Sequence, residues 1–338
     1  MDLLPTPEQD EIVTTVRAQL DSDFDLHSLA GADGATRVIG ADLWERCAGL
    51  GWFGLGLEED LGGVGYGLAE ETLLFGELGR HATPGPFLAT VLGARVAAQV
   101  GATEAAAAIL DGTAPVALAE EEAAGAGDAH LRIRDLDGAR YVLVVAAERV
   151  SLLPAEALAA TAVESLDLLV PLSIAPLPDL SDPVASLTGD AAGLLRRRGT
   201  VLVGAELAGI ATGCAEQSVA YAVDREQFGV PIGSFQAVKH RCADMAVRAE
   251  AATSSVRLAA LALADGRSDA AFLVEAARVV ATDAAIGNAQ TNVFNHGGIG
   301  FTWEHTAHRY VTRSQVLSRT LGDRHDHLHA LLDEPAPG

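Results

Sequence analysis

FQAVKHRCADMAVRAEAATSSVRLAALALADG, residues 235–266, decides the fold. Its apolar positions are Phe235, Val238, Cys242, Met245, Ala249, Ala252, Val256, Ala259 and Leu263. They alternate by three and four residues over about eight turns, the period of an amphipathic helix and not of a strand. Asp265-Gly266 closes the run, since glycine takes the conformation that ends helices. Ser268-Asp269 predicts the cap of a second helix, which runs to His296. Val201–Val223 before this pair and Thr306–Leu321 after it read the same way. Four long helices with short connections predict a four-helix bundle.

Toward the N-terminus, residues 5–110 also read as helices. Thr6-Pro7 is a cap and first-turn pair for a helix to Leu20, and Ala41–Leu50, Leu68–Gly79 and Phe87–Val100 follow. Residues 51–67 form a glycine-dense loop region. Residues 112–188 change character. Short β-leaning runs such as Val116-Ala117-Leu118 dominate, and Asp137-Gly138 between His130–Asp135 and Tyr141–Val145 predicts a hairpin. Pro154, Pro171, Pro176, Pro178 and Pro183 keep later runs short, so five or six strands are expected. The expected organisation is mainly α with a small β domain. It comprises an N-terminal helical domain (1–111), a β-barrel-like middle domain (112–188), a C-terminal four-helix bundle (189–332) and a tail (333–338).

Composition narrows the function. Apolar residues are 49% of the 338, which excludes general disorder. Lys plus Arg is 23 against 46 acidic residues, a net charge of −23, and Lys239 is the one lysine. A general nucleic-acid binder needs a basic face and is excluded, whereas a local arginine can still bind a small anion. The most apolar stretch, Thr200–Val223, is broken by Glu206 and Glu216, so no membrane span is expected. The start, MDLLPTPEQDEIV, has neither the basic residues nor the apolar core of a signal peptide. Cys47, Cys214 and Cys242 are odd in number and widely spaced. They suit neither a disulfide framework nor a zinc module, and a reduced cytoplasmic setting is expected.

Two segments carry chemistry. One is Tyr221-Ala-Val-Asp-Arg225-Glu-Gln227-Phe228-Gly229-Val-Pro231-Ile232-Gly-Ser-Phe235-Gln236; the other is Asn295-His296-Gly297-Gly298-Ile299-Gly300-Phe301-Thr302-Trp303-Glu304-His305. Arg225 at a helix end can place a guanidinium on a pyrophosphate. Phe228 offers an aromatic face, and Gly297-Gly298 permits close approach of a cofactor. As an ordered pair these segments resemble the C-terminal domain of the acyl-CoA dehydrogenases. Leu50-Gly-Trp52-Phe-Gly-Leu, Glu58-Glu-Asp-Leu-Gly62-Gly63-Val-Gly65, Glu77-Leu-Gly79-Arg80 and Pro84-Gly-Pro86 resemble that family's N-terminal domain. The resemblance implies an α–β–α architecture, FAD as cofactor and an acyl-CoA substrate. It also implies an electron-transfer flavoprotein or similar acceptor. The positions matching Arg225, Gln227, Phe228, Ile232, Phe235 and Gly298 would touch an FAD held mainly by a neighbouring subunit.

The same resemblance exposes what is missing. The family removes the substrate α-proton with a Glu at one of two positions. Here the position on the first bundle helix holds Gly199, and the one in the loop after the last long helix holds Leu321. The family's flavin-cradling stretch, rich in Thr and Ser, aligns with Ala117-Leu-Ala119-Glu120-Glu121-Glu122-Ala-Ala-Gly125-Ala-Gly127-Asp128. Phe294 stands where a FAD-contacting Gln is usual. One half of a shared cofactor site is retained and the other eroded. The chain therefore resembles the smaller, base-lacking subunit of actinobacterial heteromeric (α2β2) acyl-CoA dehydrogenases of steroid side-chain degradation. A longer partner chain would supply the Glu. Two alternatives stand beside it: a self-sufficient homo-oligomeric enzyme with a relocated base, Glu304 being the internal candidate, and a flavin-free structural paralogue.

Weaker constellations carry blander expectations. Glu304-His305-x-x-His308 and His325-Asp326-His327-x-His329 are read as non-metal, the latter as a solvated tail. Glu250 falls off the apolar seam onto a polar face. Arg196-Arg197-Arg198 reads as a solvated helix start, with a CoA phosphate or an acidic partner face as the alternative.

Overall fold

The computed structural model describes residues 4–26, 39–122 and 129–334. In chain order the helices are α1 (Pro7–Asp23), α2 (Ala41–Gly49), α3 (Leu68–Arg80), α4 (Phe87–Gln99) and α5 (Thr103–Leu110). Strands β1 (Val116–Glu122), β2 (His130–Arg134), β3 (Tyr141–Val145), β4 (Arg149–Pro154), β5 (Thr161–Val163), β6 (Leu172–Pro176) and β7 (Ala185–Thr188) follow. Then come α6 (Gly189–Asp224), a small ribbon of β8 (Glu226–Gln227) and β9 (Val230–Pro231), α7 (Gln236–Ala264), α8 (Ala270–His296), α9 (Ala307–Leu317) and α10 (Arg324–Asp333). Packing divides the chain into two compact units that interleave in sequence. One is Met1–Gly31, Leu68–Thr83 and Thr200–Gly338; the other is Ala32–Gly67 and Pro84–Gly199.

In the first unit, α1 opens with a capping box. The Thr6 hydroxyl accepts from Gln9 N–H at 3.2 Å, and the Gln9 side chain accepts from Thr6 N–H at 3.0 Å. Arg17 on α1 makes two hydrogen bonds to the buried Glu77 of α3, at 2.9 and 2.7 Å. Helix α3 crosses α6 on glycine. A β-carbon at Gly209 would lie 1.9 Å from the Gly76 carbonyl oxygen, and one at Gly79 would lie 1.9 Å from that of Glu206. The apolar stripe of α7 buries Met245, Ala249, Ala252, Val256 and Ala259, while Phe235 at its start stays exposed. Asp269 stands at the N-cap of α8 as expected, but its carboxylate pairs with Arg267 at 2.6 and 2.8 Å and caps nothing.

Polar side chains set the register within the bundle. Asn288 donates to the carbonyls of Ala211 and Met245, both at 2.9 Å, and accepts from Arg248 at 3.0 Å. Asn292 accepts from the Ser218 hydroxyl at 2.8 Å and donates to Gln217 at 2.9 Å. Buried amides whose oxygen and nitrogen both have partners fix one alignment where alanine-rich helices could slide. The residues expected to form a solvated tail form α10 instead. His327 is 4% exposed and its Nδ1 lies 2.5 Å from Glu275 of α8. Of its three histidines, His325 and His329 face outward, one turn apart, with ring centroids 4.3 Å apart.

Among the described residues the second unit carries seven strands in the order β5-β6-β2-β1-β3-β4-β7, one more than the upper expectation. The expected β2–β3 hairpin is overturned. β1 lies between them, antiparallel to β2 and parallel to β3. Gly138 does turn the chain, with φ +70°, but the strands it joins straddle a third. The reason is burial: Val116 to Glu120 are buried throughout, and a strand covered on both faces belongs at a sheet centre. One face of β1–β2 joins the core through Ala117, Ala119, Leu131 and Ile133. The opposite face carries charge. Arg134 donates to Glu120 at 2.7 Å, and Arg132 lies 3.6 Å from Glu120 and 3.7 Å from Glu122. The arginine run at the start of α6 is not simply solvated either. Arg196 donates to the Ala147 carbonyl at 2.7 Å and Arg198 to that of Gly56 at 3.3 Å.

Candidate functional site

Helix α6 ends at Asp224, and the next eleven residues form a tight knot. Arg225 N–H donates to the Tyr221 carbonyl at 2.9 Å, and Ile232 N–H donates to the Arg225 carbonyl at 2.7 Å. Within this loop β8 and β9 pair Gln227 with Val230, leaving Phe228-Gly229 as a two-residue turn. Both turn residues have positive φ, +54° and +78°. That is the type I′ signature, which asparagine and glycine fill without strain and phenylalanine does not. The Phe228 ring is 93% exposed and meets Phe235 edge-on at 6.2 Å. Residues held in strained backbone and projecting a large apolar ring into solvent mark a functional surface.

Each residue expected from sequence has a place here. Arg225 sits at the root of the hairpin, exposed, and its guanidinium makes no ion pair or hydrogen bond among the described residues. Gln227 lies on β8, its amide donating to the Glu226 carbonyl at 2.8 Å. Ile232 starts the 3₁₀ turn Ile232–Ser234, and Phe235 occupies the N-cap of α7. Gly298 lies in a second 3₁₀ turn, Gly297–Phe301, at the end of α8. A β-carbon on Gly298 would meet nothing within 4 Å, so the turn faces open space. Phe294, Phe301 and Trp303 around it are 70%, 73% and 61% exposed. Arg241 of α7 lies over the Phe294 ring at 5.5 Å.

The site therefore presents an available guanidinium, an exposed aromatic face and a glycine turn with room for a ligand backbone. That combination suits an extended anionic ligand with flat rings, such as a dinucleotide. Among the described residues, the β-module stretch expected to cradle a flavin presents charge. Glu120, in the stretch aligned with the family's flavin cradle, is buried in its ion pair with Arg134. Residues 123–128, including Gly125, Gly127 and Asp128, lie outside the described residues.

Neither expected base position holds a carboxylate residue. Gly199 is buried within α6, and Leu321 lies between α9 and α10 at φ +55°. Arg278 holds that second loop by donating to the Leu317 and Thr320 carbonyls at 2.8 and 3.0 Å. Glu304 is fully exposed. Hydrogen bonding, first from the Thr302 hydroxyl and then from its own backbone N–H, holds its carboxyl below the usual range, the wrong direction for a proton acceptor. Glu250 is exposed and accepts from Ser254 at 2.9 Å.

Sequence reasoning missed His296. It is 5% exposed, stacks on Tyr221 with centroids 4.3 Å apart, and meets His305 on its other side at 4.3 Å. Its place beside Gly297 was the available signal. Two clefts in the first unit lie away from the expected residues. One of about 340 Å³ is lined by Asp21, His81, Glu216 and Tyr310, and one of about 260 Å³ by Arg17, Glu77, Glu250 and Arg257. The hairpin and the glycine turn are both exposed. Among the described residues no group of three or more His, Cys, Asp or Glu could hold a metal ion, and no helix is long and apolar enough to cross a membrane.

The chain is similar in sequence and in fold to known proteins. A model of the acyl-CoA dehydrogenase N-terminal domain matches residues 6–115, and one of the C-terminal domain matches residues 194–328. Acyl-CoA dehydrogenase IpdE2 of Mycobacterium tuberculosis is 30% identical over 339 residues, 98% of each chain. Acyl-CoA dehydrogenase FadE34 of the same organism is 36% identical over 300 residues; these are 83% of this chain but 41% of FadE34, so the chain spans about two fifths of that relative's length. Among solved structures, a variant of the Tcur3481-Tcur3483 steroid ACAD superposes with a TM-score of 0.81 at 26% identity, covering 96% of this chain and 97% of that one.

Proposed function

The chain belongs to the acyl-CoA dehydrogenase family of FAD-dependent oxidoreductases, and from that premise we propose that it is the base-lacking subunit of a heteromeric enzyme. It contributes the Arg225–Phe235 hairpin and the Gly297-Gly298 turn to a flavin site that a longer partner chain completes. The partner supplies the catalytic Glu. The substrate is an acyl-CoA, and the likeness to a steroid ACAD favours a steroid-derived acyl group. An electron-transfer flavoprotein or a similar carrier takes the electrons onward.

One observation carries this reading: the cofactor-facing turns are intact while Gly199 and Leu321 leave both base positions without a carboxylate. When bound, FAD accepts the β-hydrogen as hydride while the α-proton leaves. This chain's residues do the holding. Arg225 neutralises pyrophosphate charge, Phe228 covers a flat ring, and Gly298 lets the ligand approach where a side chain would stand. The exposed aromatic rim loses water when the partner docks, which strengthens the arginine contact.

Co-expression with a longer, Glu-bearing acyl-CoA dehydrogenase chain tests the proposal. A colourless isolated chain and a yellow, active complex are expected. A yellow, active homo-oligomer would replace it with the self-sufficient reading. A complex that forms but never holds flavin would leave a structural paralogue.

A further inference from the structure

We infer that His296 is the positioning residue that locks the hairpin and the glycine turn into one binding surface, a reading that rests on the flavin half-site proposed above. Arg225 and Gly298 are far apart in sequence and sit on short turns with little packing of their own. Something between them must fix their separation.

The His296 imidazole stacks on the helix end from which the hairpin springs, and the His296 Cβ lies against the glycine turn. Its ring stacks on Tyr221 with an interplanar angle of 30°. The Tyr221 carbonyl holds Arg225 N–H, so this contact reaches the hairpin root. On the other side the glycine turn folds back over the same residue. A β-carbon at Gly300 would lie 3.0 Å from His296 Cβ and 2.6 Å from the Val293 carbonyl oxygen. His305, in the loop that also carries Trp303 and Glu304, meets the ring at 44°.

The ring's orientation is also determined. Its Nδ1 lies 2.8 Å from the Asn292 carbonyl oxygen, which can only accept. Neutral His296 therefore carries its proton on Nδ1. Burial holds its pKa below the ordinary value, so the ring stays neutral and stacks without a charge to desolvate. The Asn292 side chain is itself fixed by Ser218 and Gln217, three and four residues before Tyr221. The α6–α8 register set in the bundle is thus carried to the two turns through one residue. Displacements of about 1 Å in positioning groups cost cofactor and substrate sites dearly.

His296→Ala removes the ring, and His296→Phe keeps a stacking ring without its polarity. Tyr221→Leu and Tyr221→Phe repeat the comparison from the hairpin side. Two measurements are made: amide hydrogen exchange of Glu226–Pro231 and Gly297–Phe301 in the isolated chain, and FAD affinity of the assembled complex by equilibrium dialysis. His296→Ala is expected to speed exchange in both segments together and to weaken FAD binding about tenfold, the effect of about 1.4 kcal/mol. His296→Phe should recover most of both. If Ala and Phe behave alike, or if Glu226–Pro231 exchange is unmoved in His296→Ala and Tyr221→Leu, the inference is overturned. A wild-type complex that binds no FAD while exchange still couples the two segments would sink the cofactor reading and leave the positioning role. A wild-type complex that binds FAD, with His296→Ala equal to it in both measurements, would do the reverse.

Discussion

Phe228 and Gly229 form a two-residue turn in which both φ angles are positive, although only the second is a glycine. Left-handed backbone costs a non-glycine residue about 1–2 kcal/mol. Phe228→Asn should therefore stabilise the isolated chain by roughly 1 kcal/mol, read by urea unfolding. The same substitution removes the exposed ring and should lower flavin retention of the complex. A variant less stable than wild type would show that the Phe228–Phe235 contact outweighs the strain.

Gly209→Ala should be severe. A methyl there meets the Gly76 carbonyl oxygen at 1.9 Å, and two helix backbones must separate to admit it. Overpacking of this kind costs at least about 2 kcal/mol. Gly76→Ala is the control: its β-carbon would meet nothing within 4 Å, and a gain of about 0.5–1 kcal/mol is expected from reduced backbone freedom. Thermal melts of the two variants should move in opposite directions.

Arg225→Ala should weaken FAD binding by the complex without lowering the melting temperature of the isolated chain, where the guanidinium has no partner to lose. A charge-assisted bond to pyrophosphate is worth roughly 1.5–3 kcal/mol. Flavin content after gel filtration checks it, and unchanged content counts against the assignment.

Glu304→Gln should change turnover modestly and leave α-proton exchange intact. Loss of a general base costs about 10²–10⁴-fold. The assay is deuterium exchange at the acyl-CoA α-carbon by the isolated chain and by the complex. Exchange by the isolated chain that vanishes in Glu304→Gln would make this chain the owner of the base.

Stability should fall on mild acidification, in part through His296. Desolvation lowers its folded-state pKa from 6.5, with the Asn292 carbonyl opposing. The unfolded chain then binds a proton that the folded chain refuses. The His296 contribution is present above about pH 6.5 and is lost as pH falls through the folded pKa. One proton gives a slope of at most about 1.4 kcal/mol per pH unit. Tyr221 and His305 flank the ring, and neither offers it a carboxylate. His296→Phe should flatten the dependence of melting temperature between pH 7.5 and 5.5, and an unaltered curve would refute the assignment.

Local signals were legible in the sequence. The three-four spacing of Met245 to Ala259, the Thr6-Pro7 start and the Gly266 stop each depend on neighbours within one or two turns. Long-range choices were not. Asp137-Gly138 signals a turn, but nothing near it says that β1 will come between the strands it joins. His327 reads as one of three alternating histidines until Glu275, from another helix, meets it. The paired motifs pointed to the hairpin and the glycine turn. The strain at Phe228 and the imidazole between Tyr221 and His305 required coordinates, because a dihedral angle and a ring stack leave no compositional trace.

The central place of β1 bears on how the chain reaches its native state. β1 meets β2 across a short connection, but its other edge waits for β3 to cross over and align in parallel, and β7 must return from the far end of the module to β4. Such closures are slow because chain entropy is lost before contacts form. Helices α7 and α8 meet across the short link after Ala264 and need no such search. Helical signal should therefore return first in refolding. Until β3 arrives, the apolar strands Val116–Glu122 and Tyr141–Val145 expose unpaired edges to other chains. The window for aggregation during synthesis, and any dependence on chaperones, falls on this module and not on the helices that carry the hairpin and the glycine turn.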